Sequence, residues 1–373
     1  MTPVNKQSGY MEWSKTCSMA RFNLATSGLA NVSTREVRLH EPEMEITGPG
    51  GYGFAPLQQK LARHTGAPVD CIVAATGASM ANYLAMSAAL NPGDEVLIEQ
   101  PAYGLFTDVA KYLGANINFF QRRFDSAFAV DVEDLANHIT PRTRLIVLTN
   151  LHNPSGALIG QKTLGEIAEV ALRAGVFVLV DEVYLEMLFE PGAPFAFPIG
   201  TKLNGDSNPF IITNSLTKTY GLSGLRCGWI LAMPALTKEI WRLNDLFGVN
   251  AAHMAEQMSV NAFDQLDLLR NRARSMLTVN RKMLDQFLDN HPELECARPP
   301  GGPVVFPRLA RGDANAFLNL LRDKFETSVV PGRFFGMPDH FRIGIGGDSE
   351  MVRGGLERLD AALTKFGGSG TGG

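Results

Sequence analysis

Ser215-Leu216-Thr217-Lys218, with Arg226 eight residues further on, is the part of this chain best equipped for covalent chemistry. A lysine amine sheds its proton readily when desolvated or set beside another cation, and can then form a Schiff base with an aldehyde. Arginine suits a phosphate, because its planar fork gives two parallel hydrogen bonds to oxygen. Ser215 adds a hydroxyl, among glycines at 221, 224 and 228. Taken alone, the stretch also reads as a glycine-rich surface loop with two ordinary cations.

Other segments carry matching chemistry. Gly77-Ala78-Ser79, within Thr76 to Asn82, stands between a strand-like run and an Ala/Leu/Met-rich helical stretch. Backbone N–H groups at such a helix start favour an anion, and the Ser79 hydroxyl completes a phosphate cup. A plain helix cap is the blander alternative. Asp181 ends the most apolar run, Val176 to Val180, where a carboxylate is costly unless a cation or donor meets it. Asn153 precedes Pro154, which fixes the backbone and lets the amide project. Tyr184 offers a phenol three residues past Asp181, and Tyr103 an aromatic plate for a ring. Each also has an ordinary role open to it: cap, Asn-Pro turn or core tyrosine.

These residues need a frame to hold them. Apolar runs at 72–75, 95–98, 117–120, 145–148, 176–180, 210–212 and 229–231 read as strands. Their unbroken apolar character implies burial on both faces, the habit of a mostly parallel sheet between helices. Periodic stretches such as Thr163 to Ala174 supply the crossovers. A long helical pattern from Gln265 to Asn290 can link two lobes. Strand-like 304–306 and 341–343 follow, then a closing helix near 350–366. The expected fold is α/β, a sheet sandwiched by helices in a large domain (46–270), with a smaller α+β domain from 1–45 and 271–373. In such sheets ligands bind beyond the carboxyl ends of the strands, where the polar residues above lie.

Composition narrows the function classes. With 34 basic against 38 acidic residues, the net charge of −4 leaves no basic excess for nucleic acid. No apolar run approaches the roughly 18 residues that span a bilayer, and no secretory signal is evident. The four cysteines form no CxxC, so reduced thiols in the cytoplasm are expected and no metal site is. The glycine-rich end, 367–373, reads as disordered. Gly48 to Gly53 formally matches GxGxxG, but it follows Glu41, Glu43 and Glu45 instead of an apolar strand and contains Pro49. The sequon at Asn31 has no secretory context and carries no weight.

In their order along the chain, Gly77-Ala78-Ser79, Tyr103, Asn153-Pro-Ser-Gly, Asp181-Glu-Val-Tyr184, Ser215-x-x-Lys218 and Arg226 resemble the motifs of fold-type I, pyridoxal 5′-phosphate (PLP)-dependent aminotransferases of class I/II. The resemblance covers roughly residues 45 to 360. It implies that Lys218 holds PLP as a Schiff base, that Asp181 pairs with the ring nitrogen, and that Tyr103 covers the ring. It further implies that Asn153 and Tyr184 bond the ring's phenolic oxygen, while Gly77, Ala78, Ser79, Ser215 and Arg226 hold the phosphate. Arg342, in Phe-Arg-Ile-Gly, matches the arginine that grips the substrate carboxylate. Tyr52 matches a tyrosine serving the neighbouring subunit's phosphate, which implies a homodimer with shared sites. Ala25 to Asn31 resembles the substrate-contacting arm only loosely, with Gly28 its substrate-side candidate. Thr217 stands where serine is common, Ser155 where threonine is, and His152 reads as structural.

The implied activity is transfer of an amino group between an amino acid and a 2-oxo acid, with Lys218 moving the proton. A PLP-dependent lyase or cyclase starts from the same proton abstraction and shares the same cofactor residues. A non-catalytic, effector-binding relative of a transcriptional regulator is disfavoured, because the residues before 45 are too few and too weakly basic for a DNA-binding domain.

Overall fold

All seven apolar runs enter a single sheet. In this computed structural model, which describes residues 6–33, 35–36, 45–189, 192–204 and 207–368, a short strand β1 (Phe22–Asn23) comes first. The sheet strands then follow: β2 (Ile72–Thr76), β3 (Glu95–Gln100), β4 (Asn116–Gln121), β5 (Thr143–Thr149), β6 (Phe177–Asp181), β7 (Phe210–Ser215) and β8 (Cys227–Leu231). Their spatial order is β2-β8-β7-β6-β5-β3-β4. Strands β4, β3, β5, β6 and β7 run parallel, and β8 runs antiparallel to both neighbours.

The continuous apolar runs have a direct physical cause. Val178 and Val180 point into one core with Ile146, Leu148 and Ile212. Leu179 points the other way, with Leu145, Val147 and Ile211. A strand alternates its side chains between faces, so a sheet covered on both sides needs apolar residues at every position. Helix Gln161–Ala174 covers the first face through Leu164, Ile167, Ala168 and Ala171, and stops at Gly175, whose φ of +67° suits a glycine. Helix Gly77–Ala89 covers the second through Ala81, Leu84 and Ala85.

Every sheet strand extends past its apolar run, and two of these extensions matter for the site. β6 includes Asp181, and β7 continues to Ser215, because the ladder pairs Asp181 with Thr149 and Thr213 and is indifferent to side-chain polarity. Asp181 and Ser215 are therefore the last residues of two neighbouring strands of the sheet.

A second core gathers the chain's end and part of its beginning. β9 (Leu294–Glu295) pairs with β11 (Arg308–Leu309), and β10 (Val304–Val305) and β13 (Val330–Pro331) flank β14 (Phe341–Gly344). β12 (Thr327–Ser328) pairs with β1, which ties the N-terminal segment in. The long helix Leu266–Asn290 gives Leu266 and Leu269 to the sheet's core, and Ala273, Leu277, Leu284, Phe287 and Leu288 to the second. The closing helix, Ser349–Gly368, takes in Gly367 and Gly368, which correct the expected start of the disordered end; residues 369–373 lie outside the described residues. Glu41 and Glu43 also lie outside them. Among the described residues no helix is long and apolar enough to cross a membrane, and no cluster of His, Cys, Asp or Glu could hold a metal.

Candidate active site

The neighbouring ends of β6 and β7 bring Asp181 and the Ser215–Lys218 turn to one side of the sheet. There Asp181 and Lys218 line a common cavity with Ala78, Ser79, Tyr103, Asn153 and Tyr184. Helix Gly77–Ala89 lies across these strand ends and presents Asn82. Its amide nitrogen donates to Asp181 Oδ2 at 2.8 Å, while its oxygen accepts from Thr213 Oγ1 at 2.5 Å. The Val183 N–H donates to Asp181 Oδ1 at 3.1 Å. Burial pushes the Asp181 carboxyl up to about 6 against these donors and the Lys218 charge. The Lys218 amine is pushed down to about 8, by burial first and then by the Arg342 charge, and Nζ donates to Ser27 Oγ at 3.2 Å.

One end of the site is a narrow backbone cradle. Gly77 has φ +76°, and a Cβ there would fall 2.2 Å from Arg226 Nη2. A Cβ on Gly228 would lie 2.5 Å from the Gly77 carbonyl carbon. Gly228 has no room for a side chain against the Gly77 backbone, and a Cβ on Gly77, strained at its positive φ, would displace the Arg226 guanidinium that packs on the start of helix Gly77–Ala89. Arg226 Nη2 donates to the Thr76 carbonyl at 3.3 Å, and the residue is otherwise exposed. Ser215 caps the short helix Leu216–Tyr220 by accepting from the Thr217 N–H at 3.4 Å. The buried Thr217 Oγ1 has no partner among the described residues.

The other end is built around Arg342, on β14, which is 1% exposed. Its Nη1 donates to Asn153 Oδ1 at 2.8 Å, and its Nη2 to the Ala25 carbonyl at 2.9 Å and the Tyr10 hydroxyl at 3.3 Å. Its Nε has no partner, and no carboxylate pairs with it among the described residues. Asn153 is itself fixed, its N–H donating to Thr149 Oγ1 at 2.9 Å. Burial raises the Tyr184 phenol to about 12 and the Tyr103 phenol further. His152 is buried neutral: Nε2 donates to the Pro101 carbonyl at 2.8 Å, and Nδ1 accepts from Ser155 Oγ at 2.6 Å. Its hydrogen bonds are both structural.

Gly28 lies against the lysine, a Cβ there falling 3.4 Å from Lys218 Cδ. Tyr52 stands apart on the surface, 59% exposed, its hydroxyl donating to Asp245 at 3.0 Å. A larger cavity of about 360 Å³, lined by His64, Glu182 and Trp229, does not include Lys218.

The arrangement combines a half-buried amine of lowered basicity, a buried carboxylate, a narrow backbone cradle beside an arginine, and a buried guanidinium with no carboxylate partner among the described residues. The sequence profile of aminotransferase class I and II matches residues 29–359. The chain belongs to that family. Its similarity to individual members is moderate. It is 29% identical to capreomycidine synthase of Streptomyces vinaceus, over 93% of this chain and 90% of that protein. It is 30% identical to arginine–pyruvate transaminase of Pseudomonas aeruginosa, over 82% and 80% respectively. A PLP-dependent aminotransferase from Streptococcus suis superposes with a TM-score of 0.88 at 26% identity, covering 98% of this chain and 99% of that one. The α/β architecture is thus that of the family.

Three residues at this family site escaped the sequence reading: Asn82, Ser27 and Tyr10. Asn82 had a detectable signal, falling one helical turn after Ser79 on the turn facing the strand ends. Ser27 and Tyr10 had none, because only the folding back of the N-terminal segment brings them near Lys218 and Arg342.

Proposed function

We propose that the protein transfers an amino group between an α-amino acid and a 2-oxo acid, with PLP as its cofactor. The observation that carries the reading is Lys218 and Asp181 in one cavity, with Arg342, which meets no carboxylate among the described residues, hydrogen-bonded behind two of its walls, Asn153 and Tyr10.

The residues present fit this cofactor. The buried Asp181 carboxylate suits a protonated ring nitrogen, and the Lys218 amine suits an aldehyde. The Gly77–Arg226 cradle, with Ser79, Ser215 and the unpartnered Thr217 Oγ1, suits a phosphate. When bound, PLP supplies an aldehyde that takes up an amine and a ring that accepts the electron pair of a broken Cα–H bond. Asp181, oriented by Asn82 and the Val183 N–H, would pair as a carboxylate with the ring nitrogen. Tyr103 would cover the ring face, and Asn153 and Tyr184, which line the same cavity, would hold the phenolic oxygen. Arg342 clamps the substrate carboxylate and so orients Cα toward Lys218. Lys218 Nζ would take the proton from Cα and return it to the carbon on the far side of the amino nitrogen.

Residues 46–270 form the cofactor-holding domain in this reading, with 1–45 and 271–373 as the smaller one. The division of the long helix Leu266–Asn290 between two cores supports it. The protein acts as a homodimer in the cytoplasm, Tyr52 serving the partner's phosphate. Support for the dimer comes from Tyr52, Leu246, Phe247 and Val249, apolar side chains each at least half exposed. The named activity of the Pseudomonas relative supports a basic amino donor.

A second reading, elimination or cyclisation from the same proton abstraction, is favoured by one observation: a relative matching 93% of the chain is named a synthase. One experiment separates the two. The PLP-loaded protein is mixed with excess L-arginine and no oxo acid. Transfer yields one oxo acid per site and cofactor in its amine form. Ammonia or a cyclised product, with the aldehyde form regenerated, would refute transfer. Borohydride reduction before mixing should fix PLP to the peptide containing Lys218, and label on another lysine would overturn the site.

A further inference from the structure

We infer that the larger cavity, lined by His64, Glu182 and Trp229, is a second ligand site, built for a small organic cation on an apolar body. Among the described residues it shares no lining residue with the cavity of Lys218 and Asp181, and the inference does not depend on the cofactor reading.

The cavity lies against the first face of the sheet. Ile212 of β7 and Trp229 and Leu231 of β8 line it, and all three belong to the core on that face. Helix Gly77–Ala89, which brings Ala78 and Ser79 to the other cavity, covers the opposite face. The end of helix Ala55–Thr65 contributes His64, and the turn after β6 contributes Glu182 and Glu186. The volume of about 360 Å³ falls within the roughly 300–1,000 Å³ of small-molecule sites.

Two carboxylates line this space, and the fold treats them differently. Glu186 accepts from the Tyr220 hydroxyl, from His64 Nε2 at 3.1 Å and from Asn214 Nδ2 at 3.3 Å. Glu182 is 2% exposed, yet its single hydrogen bond among the described residues is Oε1 accepting from the Ala196 N–H at 2.8 Å. Its Oε2 meets no donor, and no cation pairs with it among the described residues. Arg270, which also lines the cavity, donates instead to Asp267 at 3.0 Å. A buried carboxylate without a counter-charge is costly. Burial pushes the Glu182 carboxyl up to about 8, and the Glu186 and Asp181 charges act in the same direction against the Ala196 N–H. A cation entering the cavity supplies the missing partner. The aromatic rings of Phe195, Phe197 and Trp229 suit both that charge and an apolar body. An anion would meet two carboxylates, and a neutral guest would leave Glu182 without its counter-charge.

The test uses PLP-loaded protein and benzamidine, a planar amidinium on an apolar ring with no alkyl amine to condense with an aldehyde. Benzamide is its neutral counterpart of the same shape. Calorimetry should show one benzamidine per chain, bound at least about tenfold more tightly than benzamide. Glu182→Gln keeps the acceptor for the Ala196 N–H, removes the charge, and should erase that preference. Because the cation pairs with the ionised carboxyl, wild-type affinity should rise at least about tenfold between pH 6.5 and 8.5, and the variant's should not. Asp181, Glu186, His64, Tyr220 and Arg270 surround Glu182 in both proteins, so a difference in slope belongs to Glu182. Lys218→Met should bind benzamidine within about twofold of wild type, since the two cavities are separate. Benzamide bound as tightly as benzamidine by the wild type overturns the inference, whether or not the Glu182 variant folds. A folded Glu182→Gln protein that keeps the preference, or an affinity that follows Lys218, overturns it equally.

Discussion

Replacing Lys218 with methionine should make the cofactor-free protein more stable at neutral pH, although it removes the residue on which the proposed chemistry turns. The burial that lowers this amine from 10.5 to about 8 is a cost borne by the fold whenever the amine is charged. A displacement of that size corresponds to roughly 3 kcal/mol at full burial. Lys218 is partly exposed, so solvent screening cuts the figure to about 1–2 kcal/mol. Methionine has a similar length and carries no charge, so the packing against Gly28 is kept. The sign follows from proton binding. Between about 8 and 10.5 the unfolded chain holds the lysine proton more tightly than the folded one, so the wild type gains stability as pH rises through that window. Below 8 the penalty is complete, and above 10.5 it is gone. Urea denaturation of both cofactor-free proteins between pH 6.5 and 10 measures the difference. The variant should lead by about 1–2 kcal/mol at the lower end, and its lead should shrink steadily above pH 8. A Lys218→Met protein less stable than wild type at pH 7, or a lead that does not change with pH, would refute the claim that burial dominates this amine.

Asp181→Ala should leave the fold intact and slow the half-reaction with an amino donor by orders of magnitude, because a ring nitrogen without its carboxylate is a poor electron sink. Stopped-flow absorbance measures this, and a rate within a few-fold of wild type would leave Asp181 as a mere strand end. Gly228→Ala should abolish PLP retention, since the added methyl would sit 2.5 Å from the Gly77 backbone. Normal PLP content after gel filtration would refute the cradle. Tyr52→Phe should weaken PLP retention in a protein that light scattering finds dimeric, whereas a fully active monomer would rule out a shared site.

The sequence by itself determined the kinds of element and the chemical inventory. Seven apolar runs were legible as strands because a sheet covered on both faces demands apolar residues at consecutive positions, and that demand is local. The Gly77, Asn153, Asp181 and Ser215–Lys218 motifs were legible because tight backbone approach and strand-end polarity leave marks over a few residues. The tertiary structure decided which groups meet. Asn82 reaches Asp181 across 99 positions, Ser27 reaches Lys218 across 191, and Tyr10 reaches Arg342 across 332. No local pattern encodes such pairings, because each depends on the sheet's register and on the N-terminal segment pairing with β12. The altered proton affinities of Asp181 and Lys218 belong to the same class. They arise from burial, which is set by everything packed around a residue and by little in its immediate sequence.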